Sequence, residues 1–219
     1  MGGFAGFAPV YEGSDEYSFV GFPLIIPKYP LAAPRVTFKG IDDVRVTVLR
    51  FGSLDVGPVV GYSFDRDEDD ADRLGGLGDI DGGINIGGFA ALRFAPIYID
   101  AAYIQQVTGA DDVGHTIRLG AGWENQTYAS NDYMDAHFSV SPVQAAASEA
   151  GLPAYDADAS FKNISLELGA DYKVADRWTV TSKLGYSLLL GDAADSPITA
   201  SKSQFSGGFG LTYTFGRIR

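Results

Sequence analysis

Residues 204–215 alternate strictly. Phe205, Gly207, Phe209, Leu211, Tyr213 and Phe215 take the odd positions, and Gln204, Ser206, Gly208, Gly210, Thr212 and Thr214 take the even ones. Successive side chains of a strand point to opposite faces, so this segment predicts a strand with one apolar face and one small, polar face. The same period runs through Ile164, Leu166, Leu168, Ala170, Tyr172 and Val174, and through Trp178, Val180, Ser182, Leu184, Tyr186 and Leu188. Earlier, Val56, Pro58, Val60, Tyr62 and Phe64 alternate with Asp55, Gly57, Val59, Gly61 and Ser63. Ile84 to Phe94 and Ile97 to Tyr103 then read as a hairpin across a tight Ala95-Pro96 turn.

Alternation of this kind suits a soluble sandwich with an apolar inside or a membrane barrel with an apolar outside. Three features select the membrane barrel. The segments are about 10–12 residues long, the length of a tilted strand that crosses a bilayer. Aromatics gather at strand ends (Tyr62 and Phe64, Phe94, Tyr172, Trp178, Tyr213 and Phe215), as interfacial girdles require. Full charges stand mid-strand on the polar face: Arg93, Asp100, Arg118, Glu167, Asp171 and Lys183. A dry core rejects them, whereas a wet lumen accepts them, so these six are the candidate lumen-lining residues. Short connections (51–53, 95–96, 175–177) alternate with long acidic ones (65–79, 109–114, 191–202), the asymmetry of a bacterial outer-membrane barrel.

The expected fold is therefore all-β, a transmembrane antiparallel barrel of about 10–12 strands, forming one domain over residues 1–219. Gly2 to Ala8 reads as part of a first strand, and the signal peptide expected of an exported protein is absent from this chain. An even strand count with both termini on one side forces residues 116–130 to go down and return. That length is too short for two full crossings, so an irregular seam with a stunted hairpin near residues 122–126 is expected. The lumen of such a barrel is expected to be mostly filled.

Composition adjusts this picture only slightly. Gly 28, Tyr 12 and Phe 14 suit curved β structure, and no apolar run is long enough for a membrane helix. Without cysteine there is no disulfide or thiolate metal site. The net charge of −12 repels phosphate backbones, which argues against nucleic acid as a partner.

Candidate chemistry is sparse. His137-Phe138-Ser139 places a base two residues from a nucleophile, on one face if the backbone is extended. His115 follows Asp111 and Asp112 in a loop, with no second acidic pair evident. Asp65 to Asp72 is dense in carboxylates, but Asp70 and Gly76 stand where an EF-hand needs its glycine and bidentate glutamate. It reads as a hydrated, self-repelling outer loop, and Asp67, Glu68, Asp69 and Asp70, with His137, are the candidate outer-loop interaction residues. Gly75, Gly76, Gly78, Gly82 and Gly83 form no phosphate motif. No catalytic residue, metal or cofactor is assigned. Within residues 131–160, Ser141 and Pro142 read as the N-cap and first residue of a short helix ended by Gly151.

Four stretches carry a family resemblance: "FAPVYEGSDEY", "GYSFDRDEDDADRLGGLGDID", "NDYMDAHFSVSPVQAAASEAGLPAYDADASFK" and "GYSLLLGDAADSPI". In this order they resemble the MipA/OmpV family, the MltA-interacting protein group. The resemblance implies a non-enzymatic β-barrel in the outer membrane of a Gram-negative bacterium, in contact with lipid and lipopolysaccharide. It further implies a scaffold that brings a murein transglycosylase together with a murein synthase in peptidoglycan remodelling. Small porin-like channels and surface adhesins are also described in the family, and they stand as the alternative.

Overall fold

A computed structural model describes residues 1–24, 35–94, 97–109, 113–122 and 124–215. The alternating segments become strands: β1 (Gly2–Pro9), β2 (Tyr17–Leu24), β3 (Arg35–Phe38), β4 (Val44–Thr47), β5 (Leu49–Phe51), β6 (Leu54–Ser63) and β7 (Gly83–Phe94). They continue as β8 (Ile97–Gln106), β9 (His115–Ala121), β10 (Glu124–Ala129), β11 (Ser160–Ala175), β12 (Trp178–Leu189) and β13 (Ser203–Tyr213). The hydrogen-bonded path is β2-β1-β13-β12-β11-β10-β9-β8-β7-β6-β4-β3, antiparallel throughout, with β5 beside β6. β4 and β5 are two pieces of one strand interrupted at Val48. β1 lies against β13, so the two ends of the meander meet, which is how a sheet of neighbouring strands curls into a barrel. β2 and β3, the ends of the path, are consecutive in the chain across residues 25–34, which lie outside the described residues.

The faces are inverted relative to a soluble protein. Phe19, Phe209 and Tyr172 point outward and are 80%, 70% and 70% exposed, while Asp55, Asn85 and Asp100 point inward and are buried. An apolar exterior over a polar interior is stable only where the outer solvent is hydrocarbon. Aromatic pairs mark both rims: Trp178–Tyr213 and Tyr213–Phe215 at one end, Tyr62–Phe64, Tyr128–Phe161 and Phe7–Tyr17 at the other. Among the described residues the connections at the first end are tight. Gly52, at φ +58, closes the β5–β6 hairpin in the left-handed region that side chains avoid. The expected Ala95-Pro96 turn falls outside the described residues.

The seam near residues 116–130 is present. β9 and β10 have seven and six residues and turn at Gly122. β10 pairs with β11 only as far as Glu124↔Leu166. Among the described residues, β11 from 167 to 175 therefore pairs with β12 alone. The β10–β11 register also shifts: Tyr128 faces Phe161 and Thr127 faces Asn163, which leaves Lys162 as an extra residue. This bulge turns both Lys162 and Asn163 inward, where both are 7% exposed.

Candidate functional site

At the end opposite the tight turns, four loops (10–16, 64–82, 130–159 and 190–202) pack into a cap. Tyr11, Leu74, Leu77, Val140, Leu152 and Ile198 form one apolar cluster drawn from all four. Met134, Phe138, Ala157, Leu189 and Ala193 form a second. These loops leave from well-separated strands of the sheet, so their contact bridges the mouth of the barrel. Three short helices organise the cap: α1 (Asn131–Phe138), α2 (Pro142–Ala147) and α3 (Gly191–Asp195). Ser130 caps α1 by accepting from the Tyr133 amide, and Ser141 with Gln144 forms a reciprocal capping box on α2.

The cap corrects three sequence expectations. The acidic 65–79 stretch keeps Asp65, Asp67, Asp69 and Asp70 exposed, but it is a folded loop rather than only a hydrated one. Its Leu74 and Leu77 are buried, and its carboxylates satisfy backbone amides. Glu68 Oε2 accepts from Gly76 (3.1 Å) and Gly78 (3.2 Å), Asp70 accepts from Asp67 N (2.9 Å), and Asp79 accepts from Glu68 N (2.9 Å). Asp69 is exposed at the surface. Partial desolvation and the neighbouring carboxylates of Asp65, Asp79, Asp70 and Asp69 raise the Asp67 pKa. α2 ends at Ala147 with Ser148 as its C-cap, and Gly151 (φ +67) serves the following turn instead. His137-Phe138-Ser139 is the end of a helix, not an extended strand. Ser139 Oγ donates to Asp135 (3.1 Å) and accepts from Ala157 N (2.8 Å), a capping role. His137 stacks on Tyr133 at 4.3 Å. Burial, reinforced by the Arg66 and Lys162 charges and opposed by Glu12, pushes its pKa down to about 3, so the ring is neutral. Asp111 and Asp112 lie outside the described residues, and their neighbour His115 packs on Tyr103 at 5.0 Å.

Below the cap, one side of the lumen is filled by charge. The loop between β3 and β4 bends inward and brings Asp42 and Asp43 to Arg118, at 2.8 and 3.0 Å. Asp43 also grips Arg45 with two 2.8 Å bonds, and Arg45 in turn bonds Asp100. Lys39 completes the chain to Asp100 at 3.5 Å. Toward the tight-turn end, Asp55 pairs with Arg93 (2.8 Å) and Arg50 (3.0 Å). Val59, Phe89, Ala91, Ala102 and Ile104 pack dry beside this network.

The other side is open. A cavity of about 730 Å³ runs from Gly122 up to Glu12 and Tyr133 beneath the cap, between β9 to β13 with β1 on one side and the Lys39–Asp42 loop with Tyr98 and Asn85 on the other. This corrects the expectation of a mostly filled lumen: filling stops where the inward residues become Gly169, Gly185, Ser165 and Ser206. The six charged strand residues thus separate into groups. Asp100 and Arg118 join one network, Arg93 joins Asp55, Glu167 and Lys183 line the cavity, and Asp171 accepts from Thr181 at 2.6 Å. Sequence reasoning missed Glu12, Asp42, Asp43, Arg45 and Lys162. Lys162 bonds Glu12 and sits 5.1 Å over the Tyr133 ring, whose hydroxyl donates to Glu12 (3.0 Å). Burial opposes ionisation of Glu12, but the Lys162 ammonium outweighs it and holds the pKa below the usual range. One signal was available for Lys162. The outward residues Phe161 and Ile164 are three apart, and that odd spacing breaks the alternation at a bulge.

The chain matches the family described as MltA-interacting protein MipA over residues 1–215. It belongs to that family. Two curated relatives agree on location: outer membrane protein Omp26La of Vibrio anguillarum and outer membrane protein OmpV of Vibrio cholerae serotype O1. Each is 33% identical over 106 residues, 46% of this chain and 39% of the relative. The match thus covers well under half of either relative's length. No solved structure matches. With the inverted faces and paired aromatic rims, this family member is an outer-membrane protein.

Proposed function

We propose that this protein is a single-domain, non-enzymatic barrel that holds a murein-processing enzyme at the inner face of the outer membrane. The observation that carries the reading is the packed cap. Four loops bridge the outer mouth with buried Leu74, Phe138, Met134 and Ile198, which favours a closed anchor over a pore. With that mouth sealed, the tight-turn end is the face left to a periplasmic partner. The family's description as MltA-interacting supports a murein transglycosylase as that partner, with a murein synthase joining it. The acidic loops 64–82 and 190–202 then face lipopolysaccharide. Affinity purification from gently solubilised membranes, read by mass spectrometry, tests this. Enrichment of a lytic transglycosylase supports the anchor, and its absence under conditions that keep the barrel folded overturns it.

A second reading, a narrow solute channel, is favoured by the 730 Å³ cavity. Stable single-channel steps from the purified protein in planar bilayers would support it over the anchor.

A further inference from the structure

Two side chains in the cavity wall are each more than nine-tenths buried and carry an oxygen without a partner among the described residues: Asn125 Oδ1 and Asn163 Oδ1. They stand in adjacent cross-strand pairs, Asn125 opposite Ser165 and Asn163 opposite Thr127, so all four project inward as one patch. Asn163 is tied into a serine cluster. Its amide nitrogen donates to Ser165 Oγ (2.7 Å) and Ser187 Oγ (2.9 Å), and the two serines bond each other at 3.1 Å, which turns the carbonyl oxygen away from them. A buried acceptor left without a donor is costly, so a wall that carries two of them suits incoming donors.

The charges around the patch limit what those donors belong to. Lys39, Arg118 and Lys162 each hold a carboxylate partner. Glu167 and Lys183 lie diagonally on the same face of β11 and β12, since Glu167 is opposite Gly185 and Lys183 opposite Gly169. The cavity is charged yet balanced, and an ion entering it would lose its hydration without finding a free counter-charge. Its volume lies within the roughly 300–1,000 Å³ of ordinary ligand pockets. We infer that the lumen binds an uncharged, hydroxyl-rich small molecule of the saccharide class, whose hydroxyls donate to Asn125 Oδ1 and Asn163 Oδ1. The inference is independent of whether a murein enzyme docks outside.

Titration calorimetry on the detergent-solubilised, full-length protein tests it, with maltose as the neutral probe, glucosamine as the cationic one and gluconate as the anionic one. Maltose should bind, and the two charged sugars should bind at least tenfold more weakly. Asn163→Ala and Asn125→Ala should each weaken maltose at least tenfold. Thr127→Val, nearly isosteric and safe for the fold, should weaken it severalfold. Heat-modifiable migration on gels confirms that each variant is folded. Absence of maltose binding by the folded protein, a preference for either charged sugar, or binding indifferent to all three substitutions would overturn the assignment.

Discussion

Asp43 has no exposed surface and carries two arginines, and the energetics of the lumen follow from that residue. A buried ion pair contributes little against an apolar replacement of both partners, but removing one partner strands the other. Arg45→Met would leave Asp43 and Asp100 short of their main cation and should cost about 3–5 kcal/mol, read as a lowered urea midpoint in lipid vesicles. Arg50→Met is the contrast. Arg50 is 45% exposed and Asp55 keeps Arg93, so little or no loss is expected. Equal losses from the two would show that the lumen network is no more buried than the rim. His137 makes a pH prediction. Its pKa in the fold, about 3, lies below the ordinary 6.5, so the unfolded chain takes up the proton first as pH falls. The stability gained by keeping the ring neutral is complete above about pH 6.5 and is lost progressively down to pH 3. An NMR titration should find the imidazole still neutral at pH 5; a midpoint near 6.5 would mean that the cap leaves it solvated. None of this was legible from residue type. Alternation assigned Asp100 and Arg118 to the inside, but their partners Arg45, Asp42 and Asp43 come from a hairpin too short to announce itself by period.

Strands were legible where the period held for ten residues or more, as in β6, β7, β11, β12 and β13, because a half-lipid, half-lumen environment acts on every side chain. It was least legible in β3, β4 and β5, of four, four and three residues. There the chain serves the lumen network more than the wall. The cap escaped for a different reason. Its helices hold eight, six and five residues, and their stability comes from clusters shared between loops distant in sequence, not from a local pattern. Only the caps themselves, Ser141 with Pro142, carried a local signal. The short β9–β10 hairpin has a measurable consequence. Amides of residues 163–166 are held between two strands, whereas from 167 to 175 alternate amides face away from β12 toward no described neighbour. Hydrogen exchange in detergent should therefore be alternately fast along 167–175 and uniformly slow along 163–166. Uniform protection of both halves would show that another segment covers that edge.

For the molecule as a whole, the packed cap and the open lumen make opposite demands, and the anchor reading predicts how the barrel behaves when the cap is cut. The loops of the cap are tied to one another by the apolar clusters and by a few polar links, such as Arg73 to the Pro197 carbonyl (2.8 Å), Ser196 to the Phe138 carbonyl (2.6 Å) and Gln144 to the Leu77 carbonyl (2.6 Å). The wall does not depend on the cap, because β6 and β7 pair over ten positions without it. Replacing residues 66–80 by a short glycine-serine turn removes Leu74 and Leu77 from the first cluster and exposes the cavity to the outer side. The intact protein is expected to show no stable conductance in planar bilayers, and the shortened one to conduct. The Asp42, Asp43, Arg45 and Arg118 network stays in place in both, so the conducting path should run along the β9–β13 side. Lys183→Glu in the shortened protein should then shift its selectivity toward cations, because Lys183 lines that side of the lumen. Conductance by the intact protein would show that the cap does not close the mouth and would favour the channel over the anchor. A silent shortened protein would mean that the lumen is blocked below the cap.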